Sequence, residues 1–255
     1  MTIRMSRRAV LAAAAGSAIS VPFTRIPARA QEEDVEHLLR IASDRMAGLA
    51  SFHFEMKTID GKATVLDNLE LKSVVGDVVR PDSFRAAMTA GFAMIDVTVE
   101  VVSIGGKVWI TDPLNAGQWQ QVADGTETGA AAAFTDLVNP DQLFLLAVEY
   151  IEEPTIEGTE ELYGEECTVI TGTFVPSRLQ ELASPVAEEG PLPGAGSLLS
   201  TEPVFLTAWV AGDGRIFRLE EAGPLTPSES HDVVRQIDFT NFDADIQIAE
   251  PSPAA

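Results

Sequence analysis

Cysteine is almost absent from this sequence. The only one, Cys167, cannot form an intramolecular disulfide, so the fold depends on its hydrophobic core for stability. Cys167 opens an apolar run, and this position favours a buried cysteine that acts as a small hydrophobic side chain.

Basic residues are also scarce. Seventeen lysines and arginines stand against 39 aspartates and glutamates, for a formal net charge of −22. Five of the arginines and none of the acids lie in the first 30 positions, so the rest of the chain carries −27. Binding of nucleic acid phosphates needs a basic surface, so this acidic charge excludes nucleic acid as a partner. The same charge opposes lasting contact with an anionic membrane, and we expect membrane contact to be transient at most. Solubility outside the cell is the simplest role for the acid excess.

Recognisable catalytic motifs are missing. His37, His53 and His231 lie far apart and outside any metal-spaced or nucleophile-like pattern. The chain contains no G-x-S-x-G sequence and no glycine-rich phosphate loop. We therefore predict that the protein is not an enzyme and uses no metal or cofactor. Paired glutamates are more typical of solvated loops and strand edges than of a calcium or carboxylate site. Examples are Glu152-Glu153, Glu160-Glu161 and Glu165-Glu166.

The first 30 residues have the pattern of an export signal. Arg7 and Arg8 precede an apolar run over residues 9–21, and residues 28–30 read A-R-A, an A-x-A cleavage site. The apolar run is shorter than the roughly 20 residues that a membrane-spanning helix needs, which argues against a membrane anchor.

The export signal also predicts a route and a product. Ser6 and the two arginines after it resemble the twin-arginine motif, whose route carries folded proteins. We predict cleavage near Ala30 and a product that begins at Gln31. No cysteine lies near that position to carry a lipid, so we expect a soluble protein in the periplasm, the cell envelope or the extracellular space.

Hydrophobic periodicity predicts one helix followed by about eight strands. Apolar residues at helical spacing indicate an amphipathic helix over residues 33–48, ending near Gly48. From Phe52 the period changes to two, which indicates strands with one polar and one apolar face. Gly105-Gly106 and residues 212–214 have the composition of hairpin turns. The predicted strands cover residues 52–57, 69–72, 95–101, 107–111, 167–175, 204–211, 216–220 and 233–242.

Two more helices are predicted between the strands. Asn139-Pro140 is typical of a helix start, and residues 142–152 are apolar around most of their circumference, so this helix must be covered. A shorter helix is predicted at 176–183. The Pro-, Gly- and Ala-rich stretch 184–201 has no periodicity, which is typical of functional or disordered loops. No composition break divides the chain, and we expect one domain over residues 31–249 and a disordered tail at 250–255.

These elements predict an α+β fold with one antiparallel sheet that is buried on a single face. That face must be covered by another sheet, by helices or by a ligand. Large Phe, Met and Trp side chains and small Ala and Gly residues both occur on it. This mixture fits a cavity lining, but the pattern alone favours a filled core, to which most buried apolar residues belong.

Several short motifs follow one another along the chain. S-F-H-F at 51–54 begins the first strand, I-G-G-K-V-W spans 104–109, and Gln118-Trp119 follows. P-T-I-E-G at 154–158 is followed by Gly164 and by V-I-T-G-T-F at 169–174. A predicted strand follows Pro203 and ends with Trp209 and Val210, and Gly212-Asp213 comes after it. In this order they resemble the S-A-H, D-G-x-L-Y, x-W, E-G…N-G…I-S-G-x-V and P-x-x-V-W-I…G-D segments of the LppX/LprAFG lipoproteins of actinobacteria.

The resemblance covers about residues 35–248 and implies both a fold and a function. It implies a single curved antiparallel sheet, an incomplete barrel with helices covering an apolar cavity, similar to the LolA/LolB carriers. The implied function is an exported carrier that binds the acyl chains of a lipid or glycolipid and transfers it within the cell envelope. The chain departs from the family in lacking the lipobox cysteine.

Burial of acyl chains would supply the affinity of such a carrier. Each buried CH₂ contributes about 0.8 kcal/mol, so a long chain needs no specific polar contacts. We assign the lining of the cavity to strand residues, its lid to the second helix and a candidate gate to the loop 184–201. A one-residue shift in the predicted register of a strand would exchange its inward and outward residues. The predicted lining is Phe52, Phe54, Met56, Leu69, Leu71, Phe84, Ile95, Val97, Val99 and Trp109, and the predicted lid is Leu143, Phe144 and Leu146.

An exported, non-catalytic protein-binding module is the competing class. It would use the acidic face or an edge of the sheet to hold a basic partner. Acyl lipid that copurifies with the protein would favour the carrier.

We expect the protein to be a monomer. We also expect its cargo to be neutral or zwitterionic, because the charge of −27 repels an anionic head group.

Overall fold

The computed structural model describes most of the chain after residue 27. The predicted export signal up to residue 27, the predicted lid residues Leu143, Phe144 and Leu146, and residues 184–198 of the predicted gate lie outside the described residues. The described residues are 28–65, 69–92, 95–112, 117–122, 147–148, 150–178 and 199–251.

One long helix, α1 (Ala28–Ala47), precedes the sheet. Its apolar positions repeat at helical spacing, and Val35, Leu39 and Met46 are buried, as the amphipathic pattern predicts. The last turn ends where the Gly48 amide donates to the Asp44 carbonyl. The predicted helix at 33–48 is confirmed and begins five residues earlier, at Ala28, upstream of the predicted cleavage position.

In the described part of the chain, twelve strands form one open, curved antiparallel sheet. Their order across the sheet is β7-β6-β5-β4-β3-β1-β12-β11-β10-β9-β8, and β2 pairs with β3 beside this path. The strands are β1 (Ser51–Asp60), β2 (Ala63–Val65), β3 (Leu69–Val79), β4 (Ser83–Phe92), β5 (Ile95–Ile104), β6 (Lys107–Asp112), β7 (Gln118–Gln121), β8 (Glu152–Leu162), β9 (Glu165–Phe174), β10 (Val204–Ala211), β11 (Ile216–Ala222) and β12 (Val234–Thr240).

All eight predicted strands are present, and β2, β4, β7 and β8 are additional. The predicted helix at 142–152 agrees with the helical Ala147 and Val148, but Glu152 already belongs to β8. Residues 176–178 of the predicted helix at 176–183 are helical. The β5–β6 hairpin turns at Gly105 and Gly106, whose φ angles of 56° and 81° are those that a tight I′ turn requires.

One face of the sheet carries the main apolar cluster, which joins buried side chains of α1 to those of β1–β5 and β9–β12. α1 lies on this face, and its Met46 Sδ accepts a hydrogen bond of 3.4 Å from the Ile216 amide at the start of β11. The largest fully buried members of the main apolar cluster are Phe52, Phe54, Phe174, Phe239, Met46, Leu49, Met88, Ile170, Leu206, Ile216 and Leu219.

A smaller apolar cluster lies on the other face of β9–β11. It is formed by Cys167, Ala211 and Phe217. Cys167 is fully buried, as its position at the start of an apolar run predicts, and burial raises the pKa of its thiol. The thiol is therefore a packing group in this fold.

The C-terminal segment, residues 243–251, crosses the end of the sheet. It leaves β12 beside β1, where the Asp243 amide donates to the Ser51 carbonyl and the Ser51 hydroxyl donates to the Ala244 carbonyl at 2.6 Å. Lys107, at the start of β6, contacts Glu250 at 3.3 Å. The segment thus spans the sheet from β1 to β6 past the intervening strands β3, β4 and β5. The part of the predicted disordered tail beyond residue 251 lies outside the described residues.

Candidate functional site: the apolar face of the sheet

A cross-strand row shows how the sequence shapes the apolar face. Phe239, Phe54, Gly76, Ala86 and Val101 stand opposite one another across β12, β1, β3, β4 and β5. The row passes from large aromatic rings to small residues. A Cβ on Gly76 would lie 2.7 Å from the Phe54 ring, so the missing side chain lets that ring lie against the β3 backbone.

Most predicted lining residues of β1, β3 and β4 lie on this face. All of those in β1, together with Leu71 and Phe84, are buried members of the main apolar cluster. Leu69 and Val99 are partly buried against it. The buried β1 residues are Phe52, Phe54 and Met56.

The beginning of β5 is more open. Val97 shares its strand face with Val99 and Val101 and is partly buried. Ile95 shares the same face, but 62% of its surface is exposed. The apolar face therefore reaches solvent at the end of the sheet where β5 begins.

Trp109 lies on the opposite face of the sheet. It stands across from Val102, whereas Ile110 stands across from Val101 of the main apolar cluster. Trp109 is nevertheless buried, with 8% of its surface exposed. Apolar residues occur at both odd and even positions of β6, so alternation alone does not show which face of the sheet Trp109 lies on.

The opposite face carries a polar row that begins at His53. His53 Nδ1 lies 2.8 Å from Asp77 Oδ1, and the Arg85 guanidinium donates to Asp77 Oδ2 at 2.5 Å. Burial opposes ionisation of Asp77, but the hydrogen bonds from His53 and Arg85 outweigh it and hold the pKa of this carboxyl below its ordinary value. His53 is thus half-buried and paired with a carboxylate.

Sequence reasoning missed charged residues on the apolar face. Arg235 in β12 and Glu229 in the preceding loop form a buried ion pair. Glu229 also accepts backbone hydrogen bonds from the amides of Thr64 at 2.9 Å, Leu225 at 2.8 Å and Thr226 at 3.2 Å. The sequence did indicate an inward-facing Arg235, because this residue alternates in step with the apolar Ile237 and Phe239 of the same strand.

Glu221 of β11 is a second buried acid in this region. It stands between Leu206 of β10 and Arg235 of β12, and none of its surface is exposed. Neither carboxyl oxygen has a hydrogen-bond partner. Burial raises the pKa of Glu221 to about 8, and the nearby charge of Arg235 only partly offsets this effect.

A cleft of about 340 Å³ lies between α1 and the start of β8. Its walls mix charged with apolar side chains, and it is open to solvent. Such a lining suits an acyl chain poorly, and the apolar face of the sheet is the better candidate site. The cleft is lined by Glu36, Leu39, Arg40, Ser43, Asp44, Ile151 and Pro154.

The sequence profile of the LppX/LprAFG lipoproteins matches residues 34–248, most of the chain and nearly all of its described part. The chain belongs to the LppX/LprAFG lipoprotein family. No curated protein sequence matches it.

Two solved structures of LppX/LprAFG-type lipoproteins share this fold. LprF from Mycobacterium bovis is 17% identical, with a TM-score of 0.57 over 88% of this chain and 98% of that one. LppX from Mycobacterium tuberculosis is 18% identical, with a TM-score of 0.55 over 86% of this chain and 100% of that one. The predicted open, curved antiparallel sheet is thereby confirmed.

The LppX/LprAFG-like motif at 169–174 has a visible packing role. Its Gly172 lies under Ile151, whose Cγ1 would be 2.5 Å from a Cβ at this position. Gly172 stands opposite Leu206, so the close approach occurs on the apolar face.

Two further observations concern the described residues alone. None of their helices combines the length and the apolar character needed to cross a membrane. No group of three or more His, Cys, Asp or Glu side chains among them is arranged to hold a metal ion.

Proposed function

We propose that the protein is an exported carrier that binds the acyl chains of a lipid or glycolipid against the apolar face of its sheet and transfers the lipid within the cell envelope. Its family is one of lipid or glycolipid binders. The observation that best supports the proposal is the extent of the main apolar cluster, which runs from β5 to β9 across the open sheet.

The residues of β4 suggest where an acyl chain would lie. Phe84, Ala86, Met88 and Ala90 alternate large and small side chains on the apolar face. Small residues between large ones leave grooves across a sheet, and acyl chains fit grooves of that kind. At about 0.8 kcal/mol per buried CH₂, a long chain gains enough free energy for stable binding.

The carrier proposal can be tested on protein purified without detergent from the cells that produce it. Native mass spectrometry should show a lipid-bound species, and solvent extraction should release acyl lipid in near-stoichiometric amount. The stripped protein should then move a labelled lipid from donor to acceptor vesicles. Protein that is lipid-free and takes up no lipid from vesicles would support the protein-binding module instead.

The proposed location is outside the cytoplasmic membrane, with a mature N-terminus at Gln31. Cleavage after Ala30 would remove the first three residues of α1, which begins at Ala28, and would keep its buried residues from Val35 onward. N-terminal sequencing of the fractionated native protein tests this proposal. Recovery of an uncleaved chain in the membrane fraction alone would contradict it.

A further inference from the structure

Glu221 is an ionisable group on the apolar face of the sheet, between the apolar Leu206 and the charged Arg235. It shares the inward parity of β11 with Leu219, and it stands directly opposite Leu206, both of them fully buried members of the main apolar cluster. Its side chain is fully buried, and neither carboxyl oxygen has a hydrogen-bond partner. A buried polar group in this condition costs free energy that an apolar side chain of similar size would not.

The charges around Glu221 determine its form. Arg235, its cross-strand neighbour, is already paired with Glu229 and also donates to the Gly223 carbonyl at 3.4 Å. Glu229 is in turn held by three backbone amides. The positive charge of Arg235 is therefore balanced, and a second carboxylate would leave a net negative charge within the apolar face. The neutral acid avoids that charge.

A neutral carboxylic acid presents one O–H donor and one carbonyl acceptor. A structural role for Glu221 would use these groups in hydrogen bonds to the protein, and neither is used. A hydroxyl group complements both, because it accepts from the O–H and donates to the carbonyl oxygen. An ether or a hydrocarbon cannot meet both requirements.

We propose that Glu221 is a polar subsite for cargo, which binds a neutral hydroxyl group of the lipid at the apolar face of the sheet. The proposal rests on the carrier function and adds a selection rule to it. Acyl burial supplies affinity for any long-chain lipid, and Glu221 favours those lipids that bring a hydroxyl group to this position.

Matched long-chain probes test the subsite. Octadecan-1-ol and octadecyl methyl ether are offered separately from phosphatidylcholine vesicles, and the lipid bound to the stripped protein is quantified by extraction and mass spectrometry. The wild type should prefer the alcohol by about tenfold, the scale of a well-placed hydrogen bond. Glu221→Gln keeps a donor and an acceptor and should retain the preference. Glu221→Leu should lose it and still bind the ether.

A neighbouring glutamate provides the control. Glu220 lies next to Glu221 on the opposite face of β11 and is half-buried, so Glu220→Gln and Glu220→Leu should leave the preference unchanged. Circular dichroism and thermal unfolding verify that each variant is folded.

The outcomes separate the two proposals. Equal binding of both probes by the wild type would overturn the subsite and leave the carrier function standing. Binding of neither probe would overturn the carrier function and the subsite with it. Stronger binding of octadecylamine than of the alcohol, lost in Glu221→Gln, would overturn the neutral hydroxyl in favour of a cationic group.

Discussion

Gly172 shows how one missing side chain shapes the apolar face. A Cβ at this position would lie 2.5 Å from Ile151 Cγ1 and 2.8 Å from the Glu152 carbonyl oxygen, closer than real Cβ atoms approach. The segment that leads into β8 can therefore lie on β9 only if residue 172 is glycine. The motif glycine is explained by packing.

Replacing Gly172 by alanine should destabilise the protein. We expect Gly172→Ala to lower the free energy of unfolding by about 1–3 kcal/mol, because overpacking forces Ile151 and the backbone to shift. Gly212→Ala is the matched control, since no atom lies within 4 Å of the position that its new Cβ would take and its backbone is not left-handed. Urea unfolding measures both, and equal stability of the two variants would contradict the packing role.

The buried Glu221 should give stability a distinctive pH dependence. Its pKa is raised to about 8 by burial, so the folded protein holds this proton more tightly than the unfolded chain does. Stability should then fall as pH rises from about 4.5 to about 8, by at most about 1.4 kcal/mol per pH unit from this group. Below that range both states are protonated, and the contribution is constant.

Glu221→Gln isolates this contribution. The amide does not titrate, so the stability of the variant relative to wild type should increase with pH over the same range. Chemical unfolding at several pH values measures the difference. Parallel profiles for the two proteins would show that Glu221 does not retain its proton in the folded state.

At the scale of single elements, β4 distinguishes a site with free space from a filled core. Ala86 faces the main apolar cluster, and Ala87 faces the other side of the sheet and is half-buried. If space is open beside Ala86, Ala86→Trp should lower lipid occupancy and leave the fold intact. Ala87→Trp should leave lipid occupancy near that of wild type.

Lipid extraction and thermal unfolding of both tryptophan variants check this prediction. A loss of several kcal/mol in Ala86→Trp would identify a core that was already filled, because dense interiors do not accept added bulk. In that case the lipid would have to lie elsewhere on the face.

Elements with clear periodicity could be predicted from the sequence. α1, β1 and the β5–β6 hairpin have regular apolar spacing or turn glycines, and these signals act locally. β4 reads S-F-R-A-A-M-T-A-G-F, in which alanine and glycine have low strand propensity, so its place depends on pairing with β3 and β5. β8 is dominated by exposed glutamates on a sheet edge and lacks an apolar face of its own.

The candidate site was predictable to a smaller extent. Phe52, Phe54 and Met56 could be placed on the apolar face because β1 alternates cleanly. The facing of Trp109 and the burial of Glu221 depend on which residues the neighbouring strands bring opposite them. A sequence pattern shows which residues of one strand share a face, but it does not show which residues of neighbouring strands stand opposite each other. That cross-strand register decides the surroundings of both Trp109 and Glu221.

At the scale of the whole molecule, negative charge should control which lipids bind. The chain after residue 30 carries −27, and two of its arginines are already paired with acids: Arg178 with Glu152, and Arg215 with Asp213 and Glu165. An anionic head group should meet a repulsive potential before its chains can bury, so neutral or zwitterionic cargo is favoured.

Salt provides the measurement of this charge effect. Screening limits repulsion to about 8 Å at physiological ionic strength, so binding of an anionic phospholipid should strengthen as salt is added. Binding of a neutral glycolipid should change little and serves as the control. Tighter binding of the anionic lipid at low salt would show that a local basic surface dominates the net charge.

The pairing of β1 with β12 has a consequence for how the chain folds. His53 pairs with Thr240, 187 positions later, and this contact joins the strands β1–β7 to β8–β12. Every other pair of neighbouring strands in the sheet is consecutive along the chain, except β1 and β3, which are separated only by β2. Strands β1–β7 and strands β8–β12 can therefore each form from local hairpins. Closing the long loop between β1 and β12 is entropically costly, and such non-local pairing slows folding. The two half-sheets should therefore form first and dock last, after the ribosome has released the final strand.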